Sequence, residues 1–175
     1  LAAEGFEVVA RLPEGGRIRP EQVFGAVTPD TILVSMMAVN NETGDRLPID
    51  AVAPAIRRAG APALFHCDGV QAFGKQTLIP GRLGIDLLAV SAHKLYGPKG
   101  AGALYIRRGA RILPQLAGGG QERGLRSGTE NLPGIAGFAA AVGALKHSTD
   151  GDFSYAKEAD VYAFLSGGNG GRVQR

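Results

Sequence analysis

The residues with the most evident capacity for chemistry stand where an apolar run gives way to polar side chains. Leu87-Leu88-Ala89-Val90 is followed by Ser91, Ala92, His93 and Lys94. An apolar run of this length, preceded by Gly84 and crowded with polar groups at its C-terminal end, reads as a buried strand running out into a site. Open α/β sheets bind ligands at the carboxyl ends of their strands, so chemistry is expected here. Partial desolvation makes an amine such as Lys94 a nucleophile toward carbonyls and aldehydes. Ser91 and His93 offer hydrogen-bond donors suited to a phosphate. Taken alone, the tetrapeptide reads as a strand end meeting a solvated loop.

A second stretch upstream, Phe65-His66-Cys67-Asp68-Gly69-Val70-Gln71, repeats the arrangement. The apolar residues Ala63, Leu64 and Phe65 lead to a carboxylate, and a turn carrying Gln71 follows. The chain between Asp68 and Lys94 is long enough for one crossover and one return strand, as a parallel pair requires. The two strand ends can then lie side by side, with carboxylate and amine facing one cavity. Pyridoxal 5'-phosphate needs such a pair: a Lys for the Schiff base and an Asp to hold the pyridine nitrogen protonated.

The remaining elements must position that pair. Phe6 to Ala10 reads as a short strand. Pro20 to Val27 reads as a helix, with Pro20 near its first position and Val23, Phe24 and Val27 on one face. Thr31 to Val39 is β-rich and almost uniformly apolar, which predicts a central strand covered on both faces. Its end, Asn40-Asn41-Glu42-Thr43-Gly44, reads as an Asx turn closed by Gly44, placed at another strand's C-terminal end. Asp50 to Ala59 is the crossover helix, with Ile49, Val52 and Ile56 buried and Gly60 as its stop. Pro54 requires that helix to start near Ala53 or to kink. Ala72 to Leu83 is a loose connection, Asp86 to Ser91 and Gly102 to Arg107 are strands, and Leu132 to Lys146 is a helix. Its expected face is Ile135, Phe138, Ala139 and Val142. The fold class is α/β, a mostly parallel sheet with flanking helices.

The 175 residues suffice for one domain, and 45% hydrophobic with 20% charged residues describes an ordinary globular chain. The formal net charge is only +3, with scattered Lys and Arg, so nucleic acid is not indicated. No apolar stretch reaches membrane-spanning length, and the N-terminus lacks a basic start followed by an apolar core. The lone cysteine, Cys67, excludes an internal disulfide and fits a reducing compartment, so a cytoplasmic location is expected. No metal-ligand spacing is apparent.

Four motifs occur in order: Val39-Asn40-Asn41-Glu42-Thr43-Gly44, His66-Cys67-Asp68-Gly69-Val70-Gln71, Ser91-Ala92-His93-Lys94-Leu95-Tyr96-Gly97-Pro98-Lys99-Gly100, and Gly118 to Thr129 with its Arg126-Ser127-Gly128-Thr129 end. Together they resemble the middle of a cysteine desulfurase, the group I iron–sulfur-cluster type within the class V aminotransferase family. The likeness covers residues 1–146 and implies part of the large, cofactor-binding domain of a pyridoxal-phosphate-dependent transferase. Residues 147–175, with Ser166-Gly-Gly-Asn-Gly-Gly171, show no such likeness and read as unable to build a core.

The resemblance implies roles for particular residues. Lys94 would hold the cofactor as a Schiff base and, once freed, act as the base at the substrate's α-carbon. Asp68 would pair with the pyridinium nitrogen, Gln71 would reach the ring's phenolic oxygen, and Asn41 would touch the ring hydroxyl or the Schiff base. Ser91 and His93 would bind the phosphate, and Thr129 would reach the phosphate of a neighbouring subunit in a homodimer. The implied substrate is L-cysteine, converted to L-alanine with sulfur left as a persulfide for an acceptor or scaffold protein. Where the family commonly has His, this chain has Gln121. Cys67 alternates with Asp68 along its strand and should face the opposite side as a structural thiol, so it is not the family's nucleophile. That nucleophile's loop, the N-terminal phosphate cup, the ring-stacking His and the C-terminal substrate-binding Arg are expected to lie outside this chain. Two alternatives stay open: another class V aminotransferase or lyase, and a non-catalytic binding or dimerising remnant.

Overall fold

The structure, a computed structural model, describes residues 1–147. The expectation for the tail from residue 148 onward lies outside them. Four strands form one sheet in the order β1-β2-β3-β4: β1 (Leu33–Met37), β2 (Leu64–Asp68), β3 (Leu87–Ser91) and β4 (Gly102–Ile106). β1, β2 and β3 are parallel, and β4 returns antiparallel to β3. The mostly parallel α/β sheet is therefore as expected. β1 is not a central strand among the described residues. It lies at the sheet edge, with Leu33 44% exposed, because none of the described strands pairs on its outer side. Phe6 to Ala10 makes no strand either. It finds no ladder partner among the described residues, and Phe6, Val8 and Val9 stay exposed.

Helices cover one face of the sheet. α1 (Pro20–Ala26) and α2 (Val52–Ala59) pack Val23, Val52 and Ala55 against Phe65, Cys67 and Leu88. Full burial of a side chain such as Phe65 is worth about 1.5–3 kcal/mol. Pro54 is the third residue of α2, inside the first turn. Amides there lack an intrahelical acceptor, so the proline removes no helical bond. Gly60 ends α2 in the left-handed conformation (φ 64°), and Ala61 donates back to the Ile56 carbonyl. A short α3 (Pro80–Leu83) interrupts the connection expected to be loose.

A second, smaller core forms where α4 (Leu132–His147) meets the chain after β3. Leu95, Ala144 and Leu145 are buried there, with Phe73, Tyr96 and Phe138 against them. The buried stripe of α4 differs from the one expected. Ile135 (45%) and Val142 (37%) are exposed, while Ala141, Ala144 and Leu145 are buried. The helix packs through Phe138 and Leu145 together with the small residues between them, and it packs on the loop after β3.

Candidate active site

Register decides which side chains can meet. Asp68 pairs with Ala89 and His66 with Leu87 in the parallel β2–β3 ladder. Laterally paired residues share a face, and residues along a strand alternate. His66 and Asp68 therefore lie on the face of Leu87, Ala89 and Ser91, whereas Phe65 and Cys67 turn into the helix-covered core. Both strands end at the same edge of the sheet. The backbone after Asp68 passes very close over β3: Gly69 donates to the Ala89 carbonyl at 2.9 Å. A Cβ on Gly69 would lie 2.7 Å from Leu88 Cδ1. Only glycine fits there without a shift of Leu88.

Lys94 stands on a 3₁₀ turn, Ala92–Leu95, that begins directly after Ser91. The Ala92 N–H donates to the Ala101 carbonyl at 3.0 Å, so the loop that leaves β3 is closed by the start of the return. Ser91 Oγ lies 2.7 Å from His93 Nδ1, which ties His93 to the Asp68 face of the sheet. Lys94 is half-buried between the exposed His93 and the fully enclosed Leu95.

The carboxylate of Asp68 accepts the Val70 N–H on Oδ1 at 2.9 Å, which occupies one of its two oxygens and forms the turn toward half-buried Gln71. The Ala38 N–H donates to the Asp68 carbonyl at 2.8 Å, joining the end of β1 to the same place. Beyond it, Asn40 Oδ1 accepts the amides of Glu42 (2.8 Å) and Thr43 (3.0 Å). The expected Asx turn is therefore present, and it leaves Asn41 exposed at its tip.

Asp68, Gln71, Ser91, His93 and Lys94 are thus gathered at the ends of β2 and β3, with Asn41 at the end of the adjoining β1. Thr129 sits on an exposed loop before α4. No hydrogen bond among the described residues ties it to the strand-end group. Gln121 organises that loop, its Oε1 accepting the Gly128 N–H at 3.0 Å. His66 shares a face with Asp68 and is satisfied by Ser35 Oγ at 2.8 Å. Cys67 is enclosed, and burial, with the Asp68 charge beside it, pushes its thiol from 9.0 up to about 11. It is a structural thiol.

Sequence reasoning missed Lys75. Burial and the neighbouring Lys94 ammonium together push Lys75 below the ordinary lysine range. No local pattern marks it: the turn after β2, in which the Phe73 N–H donates to the Gly69 carbonyl and the Gln76 N–H to the Ala72 carbonyl, must fold beside the Lys94 turn before the two ammonium groups meet.

The arrangement fits pyridoxal phosphate. An amine stands on a half-buried turn, a carboxylate ends the neighbouring parallel strand, and the hydrogen-bonded Ser91–His93 pair lies between them in the chain's path. Among the described residues no group of three or more His, Cys, Asp or Glu could hold a metal ion.

The Aminotransferase class-V family profile matches residues 1–167. A cysteine desulfurase IscS of Anaeromyxobacter dehalogenans is 50% identical over 145 residues, covering 81% of this chain and 35% of that protein. The mitochondrial cysteine desulfurase of Saccharomyces cerevisiae is 46% identical over 160 residues, covering 90% of this chain and 32% of its own length. Among solved structures, SspA in complex with cysteine superposes with TM-score 0.75 at 39% identity, covering 81% of this chain and 41% of its own. DndA from Streptomyces lividans gives 0.70 at 43%, with the same coverage. The chain thus spans about a third of the length of the curated relatives it matches. Because the profile match extends over residues 1–167, nearly the whole sequence, the chain belongs to the class V aminotransferase family.

Proposed function

We propose that this chain is the cofactor-binding part of a cysteine desulfurase, a pyridoxal-phosphate enzyme that takes L-cysteine to L-alanine. Its sulfur would be left as an enzyme-bound persulfide for iron–sulfur cluster assembly. The observation that carries the reading is the β2–β3 register, which brings Asp68 level with Ala89, just before the Lys94 turn. The names borne by relatives of 50% and 46% identity supply the reaction.

When bound, the cofactor supplies an electron sink for the substrate's α-carbon. The residues of this chain hold it and move protons around it. Lys94 would anchor the cofactor and then serve as the proton acceptor at the α-carbon. Asp68 would keep the ring nitrogen protonated, with Val70 steadying one carboxylate oxygen. Gln71 and Asn41 would donate to the ring's oxygen side, and the Ser91–His93 pair would receive the phosphate. Thr129 would contribute to the phosphate site of a second copy in a homodimer. The thiol that accepts sulfur is not Cys67, which is enclosed on the opposite face of β2. A reducing, cytoplasmic setting and a protein acceptor for the sulfur complete the proposal.

The test is made on the intact protein with added pyridoxal phosphate. A visible absorption band, absent in Lys94→Ala, and release of alanine from L-cysteine without any keto acid are expected. Alanine formation that demands a keto acid would make the protein an aminotransferase instead. A colourless protein would overturn the cofactor assignment.

A further inference from the structure

One stripe of α4 runs along the loop that carries Lys94. Gly137, Ala141, Ala144 and Leu145 recur at the spacing of a single helix face. A Cβ on Gly137 would lie 2.9 Å from Pro98 Cγ and 3.0 Å from Cδ, so the proline ring rests on the bare helix backbone. A Cβ on Gly97 would lie 3.4 Å from Ala141 Cβ. Leu95 is buried against Ala144 and Leu145, and Phe138 meets Phe73 edge-on with ring centroids 6.5 Å apart. Lys94 is thus followed by three residues, at 95, 97 and 98, each seated on α4.

Tyr96, the residue between those contacts, holds φ 60° and ψ 14°. Left-handed backbone is costly for a side chain with a Cβ and persists only where the surroundings over-determine it. Here the Tyr96 N–H donates to the Ala92 carbonyl, Gly97 donates to the same oxygen at 3.0 Å, and the Tyr96 side chain packs on the small core. The turn is pulled into shape from within and pressed into place from outside.

We propose that α4 and the left-handed Tyr96 form a brace that sets where the Lys94 amine stands, with Gly137 and Tyr96 as positioning residues. The inference rests on the assignment of Lys94 as cofactor anchor. A lysine side chain has four rotatable bonds, so the position of its turn fixes the volume the amine searches. A helix pressed against the following residues narrows that volume without touching the cofactor.

The experiment reads Lys94 in the cofactor-free intact protein. Acetic anhydride is applied under native conditions, and the acylation rate at each lysine is followed by mass spectrometry. Gly137→Ala drives a methyl into Pro98, and the Lys94 rate, normalised to a free lysine included in the reaction, should rise by about threefold or more. Pro98→Ala added to that variant should bring the rate back, as a double-mutant cycle requires for a direct contact. If Gly137→Ala does not fold, Ala141→Gly, which removes the contact without adding bulk, is read against the same threshold. An unchanged Lys94 rate, or a change that Pro98→Ala fails to reverse, overturns the brace. The two readings fail separately. Wild-type protein that stays colourless with pyridoxal phosphate ends the cofactor assignment, whereas a coloured wild type with unaltered Lys94 acylation in the variants ends the brace.

Discussion

The carboxylate of Asp86 accepts the Phe65 N–H at 2.7 Å, joining the start of β3 to β2 at the end of the sheet opposite Asp68. The same carboxylate pairs with the Arg107 guanidinium, and its backbone bonds Phe65 on one side and Arg107 on the other. One buried residue thus fixes the register of three strands. Asp86→Ala leaves the Phe65 amide without an acceptor, while the half-exposed Arg107 can turn to water. The expected loss is about 1–3 kcal/mol in urea unfolding. Asp86→Asn, which keeps an acceptor, should lose less. Equal losses from both would show that charge, not the amide bond, is what matters.

Asp68→Asn separates the two duties of that side chain. Its carbonyl oxygen still accepts the Val70 amide, so the turn and the melting temperature should persist. On the proposed assignment the charge that would face the ring nitrogen is lost, and turnover of L-cysteine by the intact protein should fall on the order of a hundredfold. Unimpaired turnover would remove Asp68 from the site.

The buried thiol gives a pH signature. Folded Cys67 keeps its proton up to about 11, against 9.0 ordinarily. Between those values the folded state binds a proton that the unfolded chain has released. This contribution to stability is therefore whole below about pH 9 and is lost as pH rises toward 11. Cys67→Ala should flatten that part of the unfolding profile, at a cost of about 1 kcal/mol for the missing sulfur. At pH 8, a thiol reagent should modify Cys67 only as fast as the protein opens.

Lys75 runs the other way. Burial and Lys94 lower its proton affinity in the folded state, so it weighs against folding near neutrality and the penalty is relieved as pH climbs toward the ordinary 10.5. Lys75→Met should raise the melting temperature at pH 7 and leave it unchanged at pH 10.5. A lower value at pH 7 would mean that the ammonium has a favourable partner.

Much of the candidate site was legible because its signals are local. Each strand-end group lies within a few residues of an apolar run, and strict alternation separates Cys67 from Asp68 before any coordinates are known. The Asx turn at Asn40 and the glycine stop of α2 likewise follow from single-residue backbone preferences. Roles drawn from family resemblance, such as those of Gln71 and Thr129, could not have come from spacing alone.

Other features depend on contacts between distant parts of the chain. Hydropathy placed β1 in the middle of the sheet, yet a run of apolar residues does not say how many neighbours a strand has. On α4 the expected Phe138 does pack, but Ile135 and Val142 stay exposed, and the approach of Gly97 and Pro98 makes Ala141 and Gly137 part of the contact surface. Lys75 gained its neighbour from the folding of one turn against another. By itself the sequence determined which residue types end each strand and which way alternate side chains turn, since both follow from bonding along the chain. Tertiary structure alone decided strand order, the Asp86 tie and the helix laid against the Lys94 loop, because these are set by which surfaces meet across long separations in sequence.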